Sequence, residues 1–561
     1  MGIDETGTLA TMRAHRSELI EPKITEYGGR IVKTMGDGLL LDFPSVVNAT
    51  RCSIEIQQGM AERNCGIDED CRVTFRIGIN LGDVIIEGDD ILGDGVNVAA
   101  RLQEIAKPGG VSISARVNED VQDRLETQFE DAGELTLKNI ARPVRVWRWS
   151  PSAGNAEGSP AKELPLPDKP SIAVLPFTNM SGDEEQEYFA DGIAEDVITD
   201  LSKIAGLFVI ARNSSFTYKG DSVDVKHVAA ELGVRYVLEG SVRKAADRVR
   251  ITAQLIDGAN GGHLWAERYD RVLQDIFAIQ DEITQQIVES LKVKLDLGER
   301  ERIGVHTTSS IEAYDIALRA RSLLLTFTPE ATAEAARLYE QAIELDPKFI
   351  TAITGLAGTQ FNSSLSGWSD DPAATLKRGC DLARRAIELD PEDLQANWAL
   401  ALANLWQHDL DGAIEAIDRA IQLGPSDAEV HATRGYILSY ASRSQEAIDN
   451  LEESMRLDPQ YPGIWLHFLA HAHFIGRNYE DAASMLERRI RRQPETDISR
   501  VLLASCYGHL GCIDQARAEW AKALRFNPEY SVERKGQQLP YKDPADWDRI
   551  VEGLRKAGLA K

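Results

Sequence analysis

The chain has 561 residues, of which 43% are hydrophobic and 27% charged, and this composition excludes wholesale disorder and predicts several folded domains. The formal net charge of −27 argues against nucleic acid or an anionic membrane surface as a main partner. The six cysteines form no C-x-x-C pair, which indicates free thiols in a reducing compartment. No apolar run is long enough to span a bilayer, so we expect a cytoplasmic protein without a membrane span.

Residues 1–149 alternate helical and strand patterns, which predicts an α+β domain. A helical stretch over Thr6–Tyr27 comes first, and two apolar segments around Gly36-Asp37-Gly38 then predict a β-hairpin with a tight turn. The predicted elements after the hairpin are a helix over Ala49–Glu62, a strand over Val73–Ile79 and a helix that opens at Gly93 and runs to Ile105.

A linker is predicted over residues 150–170, because this stretch contains five prolines and shows no apolar periodicity. Strand and helix patterns are mixed over residues 171–297, which predicts a small α/β domain closed by an amphipathic helix from Ile276 to Leu295. The chain contains no Gly-Lys dipeptide, which excludes a phosphate-binding loop of the Walker A type.

Residues 308–535 are helical and repetitive. A phrase of the form Ala-Ile-x-Leu-x-Pro recurs, and the prolines that close it stand at positions 347, 391, 425, 459, 494 and 528. The intervals of 44, 34, 34, 35 and 34 residues match the period of the tetratricopeptide repeat, a helix-turn-helix unit, and predict an all-α solenoid. The longer first interval predicts a loop insertion at Ser366–Ala373. Such arrays usually bind along a groove, so we expect a protein or peptide partner there; residues 536–561 are predicted to form a helical tail.

Four phrases in the first 149 residues carry a resemblance to a known enzyme family. They are Lys33-Thr-Met-Gly-Asp-Gly-Leu-Leu-Leu-Asp-Phe, Phe75-Arg-Ile-Gly-Ile-Asn-Leu-Gly-Asp, Asp90-Ile-Leu-Gly-Asp-Gly-Val-Asn-Val-Ala-Ala-Arg-Leu and Leu137-Lys-Asn-Ile. Together and in this order they resemble the catalytic domain of class III adenylate and guanylate cyclases. The resemblance implies a ferredoxin-like fold. It also implies attack of a ribose 3′-hydroxyl on the α-phosphate of the same nucleoside triphosphate, with release of pyrophosphate.

The resemblance implies a catalytic role for three residues. Asp37, in the hairpin turn, matches a ligand of the divalent metal, Mg²⁺ or Mn²⁺, that makes the hydroxyl more acidic. Asn97 matches the residue that orients the ribose, and Arg101 the residue that stabilises the charge developing on the α-phosphate. Asn97 and Arg101 are four residues apart on the predicted helix and therefore share one face.

Four further residues match substrate-binding positions of the family. Lys33 and Asp90 match the pair that recognises the base. Lysine can only donate hydrogen bonds and an ionised aspartate can only accept them, which fits the N1 acceptor and N6 donor of adenine and favours ATP over GTP. Arg76 and Lys138 align with cations that hold the triphosphate.

Family active sites form between two cyclase domains, and this chain has one such domain with both sets of residues, which implies a homodimer with two composite sites. The family's first strand carries the second metal aspartate, and it precedes a segment similar to Asp4-Glu-Thr-Gly-Thr-Leu, so this strand is missing from the sequence. A start codon assigned too late is the preferred explanation. Three hypotheses follow: an adenylate cyclase, an inactive cyclase-like scaffold for dimerisation and protein interaction, or a guanylate cyclase.

The middle domain carries a second resemblance. Its phrases are Ser171-Ile-Ala-Val-Leu-Pro-Phe, Tyr188-Phe-Ala-Asp-Gly-Ile, Tyr236-Val-Leu-Glu-Gly-Ser-Val and Leu264-Trp-Ala-Glu-Arg-Tyr-Asp. They resemble the amino-terminal domain of TolB-like proteins, which implies a structural or sensory role rather than catalysis. The sequence thus predicts a multidomain protein in which a cyclase domain is joined to a TolB-like α/β domain and a tetratricopeptide solenoid, both regulatory.

Overall fold

A computed structural model describes most of the chain: residues 15–35, 38–64, 73–82, 85–87, 90–121, 124–125, 129–135, 144–149, 164–183, 186–220, 224–304 and 307–559. Most of the predicted linker, residues 150–163, lies outside these ranges. The chain divides into two compact units, Met1–Lys162 and Glu163–Lys561. Within the ranges given, every helix is too short or too polar to cross a membrane.

The first unit alternates helices and short strands. A π-helical turn over Arg16–Ile20 leads into helix α1 (Glu21–Glu26). The next elements are β1 (Arg30–Met35), β2 (Gly38–Asp42), α2 (Val46–Arg63), β3 (Ile77–Ile79), β4 (Ile85–Glu87), β5 (Asp90–Leu92), α3 (Asp94–Glu104), β6 (Val111–Ser114), α4 (Ala115–Val121), β7 (Glu130–Leu135) and β8 (Val144–Trp149). Strands β1 and β2 pair antiparallel, which confirms the predicted hairpin.

The predicted strand over Val73–Ile79 is wrong in its first half. Only Ile77–Ile79 joins a ladder. The backbone of Val73 is instead held by the side chain of Asn64, whose Nδ2 donates to the Val73 carbonyl oxygen at 2.8 Å and whose Oδ1 accepts from the Val73 nitrogen at 3.2 Å. A side-chain amide has therefore replaced a strand partner at this position.

Three sheets make up the β-structure described in the first unit. Strands β3, β6, β8 and β7 form a four-stranded sheet in that order, with β3 parallel to β6 and the other pairs antiparallel. The hairpin β1–β2 and the antiparallel pair β4–β5 are separate two-stranded ladders. Helix α2 connects hairpin and sheet, because Ile56 and Met60 pack beside hairpin residues while Ile54 packs beside Val111 and Ile113 of the sheet.

Helix α3 lies on strand β3 with no room for a side chain at Gly78. A Cβ atom at this position would come within 2.3 Å of the Ala99 carbonyl oxygen. Near the start of the helix, Asn80 Nδ2 donates a hydrogen bond to the Gly95 carbonyl oxygen at 3.1 Å. Gly93, which precedes the helix, has φ 133°, a conformation that favours glycine. The end of β3 and these glycines therefore fix the position of α3.

The second unit begins with an α/β domain. Its elements are β9 (Ser171–Val174), β10 (Thr178–Asn179), α5 (Glu187–Ser202), β11 (Phe208–Val209), α6 (Arg212–Ser215), α7 (Val225–Leu232), β12 (Tyr236–Ala245), β13 (Arg248–Asp257), β14 (Gly262–Val272), α8 (Ile276–Ser290) and α9 (Leu297–Arg302). The sheet order is β11-β9-β12-β13-β14, with β10 beside β12. Strand β9 is parallel to both neighbours, and β12, β13 and β14 are antiparallel.

Helix pairs follow, as the proline spacing predicts. They are α10 (Ile311–Leu324) with α11 (Pro329–Leu345), α12 (Ile350–Leu365) with α13 (Pro372–Leu389), α14 (Leu394–Trp406) with α15 (Leu410–Leu423), α16 (Ala428–Tyr440) with α17 (Ser444–Leu457), α18 (Gly463–Ile475) with α19 (Tyr479–Arg492), and α20 (Asp497–Leu510) with α21 (Ile513–Phe526). The second helix of each pair ends two residues before one of the six prolines. Two more helices close the chain, α22 (Val532–Gln538) and α23 (Pro544–Lys556).

The long first interval, between Pro347 and Pro391, has more than one structural cause. The predicted insertion contributes a six-residue loop, residues 366–371, between α12 and α13. These two helices have 16 and 18 residues, whereas α16 and α17 have 13 and 14. The extra residues therefore lengthen both helices as well as the loop between them.

The α/β domain and the first helix pair share one hydrophobic core. Ile193 and Val197 on α5 belong to the same cluster of buried side chains as Ala317 and Leu318 on α10. Contact is so close at Gly192 that a Cβ atom there would lie 2.7 Å from the Leu318 side chain. The two predicted domains are thus continuous in the second unit.

An ion-pair network lies at this junction. Arg321 of α10 places Nε 2.7 Å from Glu195 Oε2 and Nη1 3.0 Å from Asp196 Oδ1, both on α5. The Glu195 side chain is only 9% exposed, and Arg212 is its second cationic partner. Two acidic residues of the α/β domain are therefore neutralised by an arginine of the first repeat.

The α/β domain also contacts later repeats through hydrogen bonds. Ser426, before α16, donates from Oγ to the Leu207 carbonyl oxygen at 2.8 Å. Asp458, after α17, is fully buried and accepts from Asn213 Nδ2 at 3.0 Å and from the Ser214 hydroxyl. Burial raises the pKa of Asp458, and these donors oppose that shift.

We predict that Gly78→Ala destabilises the first unit by roughly 1–3 kcal/mol, because the new methyl group meets backbone atoms of α3 that cannot move independently. The measurement is urea unfolding of the full chain. Gly59→Ala in α2 is the matched control, since its methyl group meets only the flexible Leu19 side chain and alanine favours a helix. Equal losses of stability for the two substitutions would contradict the close packing of α3 on β3 at Gly78.

We predict that Arg321→Met destabilises the second unit by roughly 3 kcal/mol, because it removes the cation of Asp196 and leaves the buried Glu195 with Arg212 alone. The control is Arg319→Met, two residues away, because this side chain is 54% exposed and its pair with Asp315 contributes at most about 1 kcal/mol. Calorimetric melting of both variants measures the difference. A smaller loss for Arg321→Met than for Arg319→Met would refute the assignment.

Candidate functional site

The structure describes the predicted site residues to different extents. Asp37 and Lys138 lie outside the described residues, and for Asp90 the backbone alone is described. Lys33, Arg76, Asn97 and Arg101 are described with their side chains. The site can therefore be built from one helix, two strands and one strand end.

Helix α3 carries the two predicted catalytic side chains. The helix begins at Asp94, directly after Gly93, and Asn97 is exposed in its first turn. Arg101 follows one turn later on the same face, is 28% exposed, and forms an ion pair with Glu104 of the same helix. An exposed pair of this kind contributes at most about 1 kcal/mol, so an incoming phosphate can replace Glu104 as the partner of Arg101.

The two strands that carry the predicted base-recognition residues are neighbours. Strand β1 lies against β5, and these strands contain Lys33 and Asp90. Lys33 pairs with Leu40 across the hairpin, next to a register shift that begins at Ile31. Such an irregularity changes the direction of the side chains that follow it. The backbone of Asp90 pairs with Glu87 in the β4–β5 ladder.

Arg76 lies at the far end of α3 from Asn97. Its Nη1 donates to the Glu104 carbonyl oxygen at 3.5 Å, where the negative end of the helix dipole favours a cation. Seven residues of helix separate Asn97 from Glu104, which is about 10 Å along the axis. The structure does not bring Arg76 to Asn97, and its contact with the triphosphate stays a prediction.

Sequence reasoning missed two residues that position the site. Gly78 permits the close approach of α3, and Asn80 binds its first turn. Both stand inside the quoted phrase that begins at Phe75, so the signal was present. A glycine in a strand often marks close backbone approach, which would have identified Gly78.

The described residues contain no cluster of three or more His, Cys, Asp or Glu side chains that could hold a metal ion. The predicted ligand Asp37 follows β1 and precedes β2 in the sequence and lies outside these residues. Its carboxylate oxygens are of the type that Mg²⁺ and Mn²⁺ prefer.

A polar cavity of about 230 Å³ lies in the second unit, and its lining residues are Asp183, Gln186, Tyr188, Lys244 and Arg319. Lys244 Nζ lies 2.7 Å and Arg319 Nη2 2.9 Å from the carboxylate of Asp315. Tyr188 donates to the same carboxylate at 2.9 Å, and burial raises the pKa of Tyr188 to about 12. These charges compensate one another, so the cluster is explained as a structural contact.

Three family profiles match the chain. The adenylate and guanylate cyclase catalytic domain matches residues 10–148, and the tetratricopeptide repeat matches residues 381–428 and 469–531. The second domain of HilA/YgeH-like transcriptional regulators matches residues 168–286. The match to the middle domain is therefore to a HilA-type domain, and the resemblance to TolB-like proteins stays a prediction.

Two further proteins are similar to parts of the chain. The transcriptional regulator HilA of Salmonella typhimurium (strain LT2) is 22% identical over 299 residues, 53% of this chain and 52% of that protein. The crystal structure of an adenylate/guanylate cyclase/hydrolase from Silicibacter pomeroyi shares 48% identity, covers 26% of this chain and 87% of that one, and has a TM-score of 0.26.

A protein of Rhizobium meliloti (strain 1021) named "Putative adenylate cyclase 3" is similar along nearly the whole chain. It is 46% identical over 562 residues, which cover 99% of this chain and 95% of that protein. The cyclase profile, the repeat profile and this relative point to one assignment. The chain belongs to the adenylate/guanylate cyclase family, in the group that joins a cyclase catalytic domain to tetratricopeptide repeats.

Proposed function

We propose that the protein is an adenylate cyclase that converts ATP to 3′,5′-cyclic AMP and pyrophosphate. The observation that carries the proposal is the geometry of the first unit. Asn97 and Arg101 share one face of α3, and the neighbouring strands β1 and β5 hold Lys33 and Asp90. The phrases that contain these four residues resemble the catalytic and base-recognition motifs of class III cyclases, and the chain belongs to the adenylate/guanylate cyclase family.

Arg101 stabilises the α-phosphate during the reaction. A planar guanidinium suits the charge that develops on phosphate oxygens as the ribose 3′-hydroxyl attacks. Arg101 must first leave Glu104, and the weakness of this exposed ion pair makes the exchange easy. Asn97, one turn earlier, orients the ribose by hydrogen bonds, so that the hydroxyl lies in line with the bond to pyrophosphate.

The choice of base rests on Lys33 and Asp90. The lysine donates to N1 of adenine and the aspartate accepts from the N6 amino group. Guanine presents a hydrogen on N1 and an oxygen at C6, so both contacts would become repulsive. ATP is therefore the proposed substrate, and GTP a poor one.

A divalent metal ion, Mg²⁺ or Mn²⁺, supplies charge neutralisation at the phosphates and lowers the pKa of the attacking hydroxyl when it is bound. Asp37 would hold this ion. Arg76 and Lys138 are proposed to hold the triphosphate, as in the sequence-based assignment.

We further propose a cytoplasmic homodimer with two composite sites, in which one protomer supplies Asp37 and its partner supplies Asn97 and Arg101. The second unit is the proposed regulatory part, with its TolB-like or HilA-type domain and its repeats. The repeats are proposed to receive a protein partner.

We expect the chain to form cyclic AMP from ATP with Mn²⁺ or Mg²⁺, and to use GTP poorly. Asn97→Ala is expected to lower kcat by roughly 10²–10³, because the ribose loses its orientation. Gln103→Ala, an exposed residue later in α3, is the matched control and should retain activity. Product analysis by chromatography measures both. Cyclic GMP as the main product would replace the proposal by guanylate cyclase, and a dimer without any cyclase activity would favour a scaffold.

A mixing experiment tests the composite sites. Asp37→Asn and Asn97→Ala should each be inactive alone, because every site in such a dimer lacks one residue. If protomers exchange at random, half of the dimers are mixed and each carries one intact site, so the mixture should regain about a quarter of the wild-type activity. Absence of any recovery, in a mixture shown to exchange protomers, would refute the shared sites.

A further inference from the structure

The tail after the last helix pair contacts equivalent positions on successive repeats. Tyr436, His471 and Ser505 are spaced by 35 and 34 residues, which is the repeat period, on the first helices α16, α18 and α20. One turn later, Tyr440, Ile475 and His509 have the same spacing. We name these six positions the inner row.

Helix α23 of the tail covers the last repeat of the inner row. Ser505 donates from Oγ to the Ile550 carbonyl oxygen at 2.8 Å, and His509 Nε2 lies 2.9 Å from the Arg549 carbonyl oxygen. Arg549 also donates from Nη1 to the carbonyl oxygen of Ile475 at 3.4 Å. The helices touch directly, since a Cβ atom on Gly508 would lie 1.8 Å from the oxygen of Gly553.

The segment that joins α22 to α23 covers the two preceding repeats. The Tyr541 ring lies 4.9 Å from the Tyr440 ring and 5.6 Å from the His471 ring, between ring centroids. A hydrogen bond of 2.8 Å joins the Tyr541 hydroxyl and His471 Nε2. Burial lowers the pKa of His471 to about 4, so the ring is neutral at neutral pH.

Lys542 fixes the register of this segment. Its backbone nitrogen donates to the Tyr440 carbonyl oxygen at 3.0 Å, at the end of α16. Its Nζ lies 2.7 Å from Asp411 Oδ1 at the start of α15, in the preceding helix pair. Tyr440 thus contacts both an aromatic ring and a backbone donor of the segment, while Asp411 of the preceding pair contacts its cation.

The aromatic surface continues beyond the tail. The ring centroids of Tyr436 and Phe468 lie 4.3 Å apart. Trp398 Nε1 donates a hydrogen bond to Thr433 Oγ1 at 2.9 Å. These aromatic side chains are partly exposed. The array thus offers a longer aromatic surface than Tyr541 occupies.

We propose that the inner row is a peptide-binding surface and that the segment Leu539–Asp543 is its built-in occupant. The partner, which is the one proposed above for the repeats, presents a non-helical peptide with an aromatic residue directly followed by a basic residue, as Tyr541 and Lys542 do. It binds by displacing the tail segment, so its apparent affinity is the intrinsic affinity multiplied by the fraction of molecules in which the surface is open. The acidic Asp411 and the aromatic residues of α16 and α18 select this chemistry.

The test uses the full chain and a labelled peptide with the sequence of residues 536–546. Tyr541→Ala opens the surface, so the peptide should bind this variant at least about tenfold more tightly than the wild type in fluorescence anisotropy. Tyr530→Ala is the control, because this tail tyrosine packs on Trp520 and is neither one of the six inner-row positions nor part of Leu539–Asp543. A peptide with its tyrosine replaced by alanine should not bind.

Amide hydrogen exchange provides a second measurement, which remains informative if the peptide binds weakly. In Tyr541→Ala, but not in Tyr530→Ala, the amide of Lys542 should lose protection, and added peptide should protect α16 and α18. Binding of equal strength to all three chains would overturn the proposal. The proposal would also be overturned if hydrogen exchange showed the tail segment of Tyr541→Ala to be exposed and the peptide still did not bind at millimolar concentration.

Discussion

A two-helix repeat cannot bury both of its faces alone, and this constraint determines the structure of the whole second unit. Each helix pair is covered by the next pair, so the first and last pairs need other cover. Helix α5 of the α/β domain supplies it at the start, where Ile193 and Val197 join a core with Leu318. Helix α23 supplies it at the end, where Gly553 contacts Gly508. The flanking elements are therefore part of the array's fold.

Two ion pairs of similar composition serve opposite purposes because their burial differs. Glu195 is 9% exposed, so its pair with Arg321 fixes how α5 and α10 meet, and loss of Arg321 removes one of the two cations that compensate this buried charge. Arg101 is 28% exposed and its partner Glu104 is 54% exposed, so solvent screens that pair and it is weak. A weak pair holds the guanidinium in place without competing strongly with a phosphate.

The periodic parts of this chain could be predicted from sequence, because their signal is local. The prolines at 347–528 mark the helix ends, and Gly93 marks the start of α3. Contacts between distant residues could not be predicted in this way. Asn64 captures the backbone of Val73 and shortens a predicted strand, and Tyr541 occupies a surface for which an external partner was expected. The cyclase-like phrases predicted which residues form the candidate site. The close packing of α3 on Gly78, which holds part of that site in place, is seen in the structure.

The candidate site depends on packing more than on ladder hydrogen bonds. Strands β4 and β5 have three residues each, and a ladder of that length holds little by itself. The position of Asp90 therefore rests on the burial of its neighbour Ile91, which is 5% exposed, and on the contact of β5 with β1. Asn97 likewise depends on how α3 sits over Gly78. The strand proposed for base recognition and the helix proposed for catalysis are therefore held in place together, because β5 leads directly into α3 through Gly93.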